Sequence, residues 1–366
     1  MKLIFFLIAF CLVSIRFYFA WSGNDKEKRG ITEGKMINKS DHYYEEINYS
    51  GKFELSEDES KFNSISPGGY FKFRRNDIKV KAESNLRGEI EYTIYDGKNN
   101  LPLNEQTKRF VSLAIKEMIY WGYDANERME RIYRKGGAQA VLNEVDSVKT
   151  DQLKILYLNH LFNIDSLLPG YLPFIMKKIA TIGSDQDKVN FLAKITDGHL
   201  NNSSIDSAYF DIVKGIGSDR DKAEALQNII NKDTLAKLNI DKILLLTGEL
   251  GSDMDKANLL QKVIAKGLVK DSNYNRLLTI ISEMGSDMDK ANLFKELVSQ
   301  NNLYEWQWIK LQDKISMLGS DNDKTNLLIQ LAPRMPQTRE LKENYQKTAK
   351  TVGNDNDYGR AMRALQ

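Results

Sequence analysis

Cysteine is all but missing from this chain. The single one, Cys11, lies in the N-terminal apolar segment, so no disulfide can form within the chain that follows it and no thiolate metal site can be built. Histidine is nearly as scarce. His42, His160 and His199 are far apart and none belongs to a His-Glu-x-x-His pattern, which removes the usual zinc-hydrolase signature. Gly-x-Ser-x-Gly is absent too, and so is any Cys–His pair for nucleophilic catalysis. Neither charge is in excess: 52 basic and 50 acidic side chains leave a formal net charge of +2, which gives no electrostatic case for nucleic acid as the main partner. One local basic stretch, Lys72, Arg74, Arg75, Lys79 and Lys81, alternates with apolar residues and reads as the solvated face of a strand.

What is present begins with size. A chain of 366 residues, 42% apolar and 28% charged, is long enough for two or three domains with real cores. Met1-Lys2 followed by the apolar run Leu3 to Val13 fits a secretory signal, with Ala20 and Ser22 as small residues before a cleavage point. Residues 1–22 are therefore expected to be a signal peptide or a retained membrane anchor. Arg16 makes a 20-residue span poor, and Phe10 before Cys11 weakens a lipoprotein reading. Either way the rest of the chain is expected to be exported, periplasmic or membrane-anchored facing the periplasm. Residues 23–48, polar and charged, are expected to form a flexible tether.

From residue 49 to 103 the pattern has period two. Phe53 and Leu55, the turn Ser66-Pro67-Gly68-Gly69, Tyr70 to Phe73, the trio Ile78, Val80 and Ala82, and the trio Ile90, Tyr92 and Ile94 predict a small antiparallel meander of four or five strands. Residues 104–148 are expected to supply helices that cover it. Asn104 is placed as an N-cap, with Phe110, Leu113, Ala114, Met118 and Trp121 at helical spacing. Two shorter helices follow, separated at Gly136-Gly137.

Residues 149–366 carry the strongest signal, a Gly-Ser-Asp-x-Asp-Lys hexapeptide beginning at Gly183, Gly217, Gly251, Gly285 and Gly319. It recurs every 34 residues, with a degenerate copy at Gly353 and a worn one at Lys149-Thr150-Asp151. Such a period is the signature of stacked helix-turn-helix units. The expected fold class is therefore mainly α: an α-solenoid preceded by the β-meander and its covering helix. In each turn the glycine is expected to cap the incoming helix, and Ser184, Ser218, Ser252, Ser286 and Ser320 the outgoing one. Asp187, Asp221, Asp255, Asp289 and Asp323 are expected to reach back to the cap's own N–H. The intervening aspartate adds charge against the helix dipole. A calcium reading of Asp-x-Asp fails, because a lysine follows directly and no EF-hand glutamate closes the loop. Apolar residues flank every turn in register, as in Ile182, Ile216, Leu250, Met284, Leu318 and Val352.

On Ser66 to Phe71, Gly136-Gly137, Val141-Leu142-Asn143-Glu144 and the Ser-Asp repeats, the chain from about Tyr49 to Gln366 resembles a bacterial envelope module. That module follows the membrane part of some sensors similar to the β-lactam sensor peptidases, and of some anti-sigma regulators. The resemblance implies an outer sensing or adaptor part. The chain lacks the peptidase half and any cytoplasmic zinc-finger or sigma-binding segment. The expected function is thus a non-enzymatic, exported scaffold for envelope proteins, touching membrane only through its N-terminal segment, with no catalytic, cofactor or metal residues assigned. The alternatives are a structural protein binding cell wall or a small ligand, then an envelope hydrolase using paired carboxylates. Tyr304, Trp306 and Trp308, near one inter-unit loop, form the candidate contact patch.

Overall fold

The computed structural model describes residues 33–366 except 41, 165–167, 197–202 and 301–302. The leader expected over 1–22 and the start of the expected tether lie outside the described residues. No helix among those described is long and apolar enough to cross a membrane. The chain divides into two compact units after Leu156.

Among the described residues the first unit holds eight strands: β1 (Glu33–Ser40), β2 (Tyr43–Ser50), β3 (Phe53–Leu55), β4 (Phe62–Ile65), β5 (Tyr70–Arg75), β6 (Ile78–Ser84), β7 (Ile90–Asp96) and β8 (Asn99–Leu101). Six of them form one antiparallel sheet in the order β1-β2-β5-β6-β7-β8, while β3 and β4 pair separately. Every strand expected from period two is there. The tether expected over 23–48 is corrected from Glu33 onward, where β1 and β2 pair in full register. Composition hid β2 because its core face reads Tyr43, Glu45, Ile47, Tyr49. A charged residue occupies an inward position, and only its tertiary partners make that position tolerable.

One face of the sheet is dry. Ile47, Phe71, Phe73, Val80, Ala82 and Ile94 lie under helix α1 (Glu105–Tyr120), which contributes Val111, Ala114, Ile115 and Met118. Asn104 caps α1 as expected: its side chain accepts from the N–H groups of Gln106 and Thr107, both at 3.0 Å, and Thr107 Oγ1 accepts from Asn104 N–H at 2.8 Å. Ala114, Met118 and Trp121 are buried as expected and Phe110 is half-buried, but Leu113 faces solvent and Val111 and Ile115 take its place in the core. At Ser66-Pro67-Gly68-Gly69, Gly68 takes φ +74, and a side chain on Gly69 would meet the carbonyl oxygens of Ser66 and Ser50 at 2.8 and 2.9 Å. The two shorter helices expected here are present within the span α2 (Ala125–Glu144), which breaks at Gly137, where φ 64 and ψ −162 are non-helical.

Helix α3 (Asp151–Phe162) spans the division between the units. The second unit continues with α4 (Leu168–Ile179), α5 (Asp185–Ala193), α6 (Ser203–Lys214), α7 (Asp219–Ile230), α8 (Asp233–Leu238), α9 (Ile240–Gly248), α10 (Asp253–Ala265), α11 (Asp271–Glu283), α12 (Asp287–Ser299), α13 (Glu305–Ile315), α14 (Asp321–Leu331), α15 (Arg339–Ala349) and α16 (Asp355–Ala364). Helices one period apart pack on one another. The outgoing helices run α5 on α7, α7 on α10, α10 on α12, α12 on α14 and α14 on α16, and the leading helices follow the same rule with α9 on α11, α11 on α13 and α13 on α15. Register residues Leu192, Leu226, Leu260, Phe294 and Leu328 are fully buried, and the apolar residues that precede each glycine are buried too.

Candidate functional site

The repeated turn is the most regular polar feature of the second unit. Each outgoing helix starts at the aspartate after the serine, and the serine hydroxyl accepts from the N–H three residues on. Asp187 N–H reaches Ser184 Oγ at 3.2 Å, and Asp255 N–H reaches Ser252 Oγ at 3.2 Å. The worn copy behaves likewise, with Leu153 N–H on Thr150 Oγ1 at 3.3 Å, and so does the degenerate one, with Asp357 N–H on Asn354 Oδ1 at 3.2 Å.

Other expectations for this turn need correction. The third-position aspartates make no reciprocal bond to the cap's own N–H in α7, α10 or α12, because that donor is taken from the preceding repeat. Asp185 Oδ2 accepts from Gly217 and Ser218 N–H at 2.9 and 3.1 Å, and Asp219 Oδ2 accepts from Gly251 and Ser252 at 2.8 and 3.1 Å. Asp253 Oδ2 accepts from Gly285 and Ser286 at 2.6 and 3.0 Å. Asp287 and Asp321 hold Gly319 and Gly353, each at 2.9 Å. The intervening aspartate, read from sequence as a dipole charge, therefore ties each repeat to the next. The glycines are not left-handed caps either: none of these five has a positive φ. At Gly251 and Gly319 a carboxylate oxygen sits close to where a side chain would begin, 3.0 and 2.7 Å from the Cβ position, whereas at Gly217 the distance is an ordinary 3.5 Å. The link between the helices at this turn is three residues at its shortest (Met284, Gly285 and Ser286).

The lysine of the hexapeptide strengthens the tie. Lys188 Nζ donates to Gly215 O at 3.3 Å and pairs with Asp185, and Lys324 Nζ donates to Thr351 O at 3.0 Å, each carbonyl belonging to the next leading helix's end. Burial works to raise the Asp185 carboxyl, but the Ser218 and Gly217 N–H groups and Lys188 outweigh it and hold it below the usual range. For Asp287 the Lys290 ammonium is the main lowering influence. Two substitutions separate the roles. Asp253→Ala strands two backbone donors and is expected to cost about 1.5 kcal/mol. Asp255→Ala removes only charge near the helix start and should cost about 0.5 kcal/mol. Ser252→Ala is expected to lose about 1 kcal/mol. Urea unfolding of the full chain ranks the three, and equal losses for Asp253→Ala and Asp255→Ala would refute the inter-repeat role.

The aromatic patch splits. Tyr304 is 60% exposed and Trp306 is 38% exposed, the latter set edge-on to Tyr274 at 5.7 Å. Trp308 is 2% exposed, a core residue of α13 rather than a contact residue. Two adjacent repeats also present Met254 and Met288, both about two-thirds exposed, at the same position after their serine caps.

In the first unit, sequence reasoning missed two ionic clusters built by residues far apart in the chain. Arg75, from the basic stretch, points into the core face, where it binds Glu45 at 2.5 Å and Glu117 at 2.6 Å. Tyr43 and Trp121 also donate to Glu45, and Lys149 lies 3.4 Å from Glu117. Burial pushes Glu45 up, but the Tyr43 hydroxyl and Arg75 overcome it and leave the carboxyl lowered. Arg128, 5% exposed, binds Glu59 and Glu144, both at 2.9 Å. Beside it a cleft of about 540 Å³ is lined by Glu54, Glu57, Glu59, Asp124, Arg131 and Lys135, among others. Burial pushes the Asp124 carboxyl up, against Arg131 at 2.7 Å. Glu57, Glu59 and Asp124 are engaged by Lys135, Arg128 and Arg131 respectively, so the cleft holds a network of ion pairs.

Comparison with protein-family models, with curated proteins and with solved structures finds no match to this chain.

Proposed function

We propose that this protein is a non-enzymatic scaffold for protein–protein contacts, with its repeats stacked as an α-solenoid, serving as a sensing or adaptor module of a bacterial cell envelope. The observation that carries the reading is the carboxylate tie from each repeat to the next, made by Asp185, Asp219, Asp253, Asp287 and Asp321. Helix pairs that bury their faces on neighbours and fix their relative position by hydrogen bonds hold an extended surface in one shape, which is what a binding scaffold requires. Tyr304 and Trp306 supply exposed aromatic anchors at one inter-repeat loop. The signal-like leader and the resemblance to the outer module of envelope sensors support the location.

The test is in-cell crosslinking from a photoreactive residue at position 304, with mass-spectrometric identification of neighbours. A specific envelope protein should be captured and should disappear when Trp306 is replaced by Ala. No capture above background across several growth conditions would sink the proposal. The second reading, a structural protein contacting wall polymer, is favoured by the cationic face of the sheet. Sedimentation with purified wall material separates the two.

A further inference from the structure

The sheet's second face is not covered by α1, and its centre is unusual. Register places Lys72 directly opposite Lys81, and Arg74 directly opposite Lys79, across β5 and β6. Like charges facing each other on adjacent strands oppose pairing, and here two such pairs are stacked in the middle of the sheet rather than at its rim. At strand spacing the backbone positions of the four residues form a rectangle about 5 Å across and about 7 Å along. They border a shallow depression of about 300 Å³ over the strands at Phe73 and Val80, whose side chains point to the other face, with Asn48 and Thr93 at its sides. The face's carboxylates relieve the crowding only in part. Glu46 lies opposite Arg74 in the register but also serves Lys35 at 3.4 Å and the Tyr44 hydroxyl at 2.6 Å, Glu83 meets Lys81 in a solvent-exposed pair, and Lys79 has no ion-pair partner among the described residues. Surface pairs of this sort contribute little.

From this arrangement we infer a binding site for consecutive phosphates of a phosphodiester-linked sugar or polyol polymer, lying across β5 and β6 on Lys72, Arg74, Lys79 and Lys81. Two negative groups several ångströms apart on one strand match the rectangle and turn an internal repulsion into attraction. The choice of polymer follows from the aromatic residues. Lys72 lies over the Tyr70 ring at 4.7 Å and Arg74 over the Tyr44 ring at 4.9 Å, so neither ring is open for a stacked base, and Tyr95, which lines the depression, is a single ring where a run of bases needs successive ones. No exposed aliphatic side chain lines the depression to enter a bilayer. The Asn48 amide and the Thr93 hydroxyl suit the hydroxyl groups of a sugar or polyol between phosphates. The inference is independent of the scaffold reading, which rests on the other unit.

The experiment titrates the full chain with a fluorescently labelled glycerol-phosphate oligomer of about ten units, alongside a thymidine decamer and phosphatidylglycerol vesicles. The oligomer should bind best. If its four contacts behave like those to single-stranded phosphates, affinity should fall roughly fiftyfold between about 50 and about 200 mM salt. Lys72→Gln with Lys81→Gln should weaken binding at least about tenfold, the loss of two such contacts. Its melting temperature should stay level or rise, since one opposed pair is relieved. Lys72→Arg with Lys81→Arg should bind as the parent does. Retained affinity in the glutamine variant, equal or tighter binding of the decamer or the vesicles, or no binding of the oligomer at low salt overturns the inference. A fall in the glutamine variant's melting temperature overturns the repulsion from which it starts.

Discussion

Replacing Trp308 by Ala is expected to destabilise the second unit by about 3–5 kcal/mol, the range for emptying a buried aromatic site. The side chain is 2% exposed and shares the buried face of α13 with Leu311 and Ile315. Its removal leaves a cavity that neighbouring helices can close only by breaking their register. A loss of this size is a large fraction of what holds a domain folded. Trp306→Ala and Tyr304→Ala, two and four residues away, should each cost under about 1 kcal/mol, as exposed positions do. Urea unfolding followed by circular dichroism distinguishes them. A Trp308→Ala loss below about 1 kcal/mol would remove Trp308 from the core. Within one aromatic cluster, stability thus belongs to Trp308, and contact chemistry is proposed for Tyr304 and Trp306.

Arg75→Met should cost about 3 kcal/mol at neutral pH, because it leaves Glu45 and Glu117 charged, buried and short of a partner while keeping most of the arginine stem's volume. Glu45 is 2% exposed and Glu117 is 7% exposed. The pH dependence gives this cluster its signature. With Arg75 present the folded-state value of Glu45 lies below the ordinary 4.5. Its contribution is therefore complete above that ordinary value and is lost as pH falls through the lowered one. With Arg75 gone, burial has less to oppose it and the carboxyl rises, so acid relieves the variant while it weakens the parent. The gap between the two should be widest near pH 7 and narrow towards pH 4. Adding Glu45→Gln to Arg75→Met should recover part of the loss. A gap that stays constant with pH would show that Arg75 acts by packing alone.

Much of the architecture was legible because its signals are local. A 34-residue period, an apolar residue before each glycine and a serine after it specify where helices begin and which face turns inward. Asn104, Ser252 and even the worn Thr150 cap the helices the sequence assigned to them. The strands from Phe53 to Ile94 announced themselves by alternation. Local signals failed where the decisive partner is distant. β2 looked like tether because Glu45 broke its apolar face, and only Arg75 and Trp121, 30 and 76 residues along the chain, make that carboxylate acceptable there.

The Gly-Ser-Asp turn marks the division most sharply. By itself the sequence determined that a turn recurs, that serine caps the helix after it and that apolar residues flank it, since those depend on atoms within a few residues of one another. It could not determine that the aspartate serves the next repeat, because Asp253 and the Gly285 N–H are 32 residues apart and meet only once α10 lies against α12. Nor could it show that Gly251 and Gly319 make room for a carboxylate, or that Trp308 turns inward while Trp306 turns out. Those outcomes depend on where neighbouring helices come to rest, and it is packing between repeats that settles which donors, which faces and which rings are left for anything else to touch.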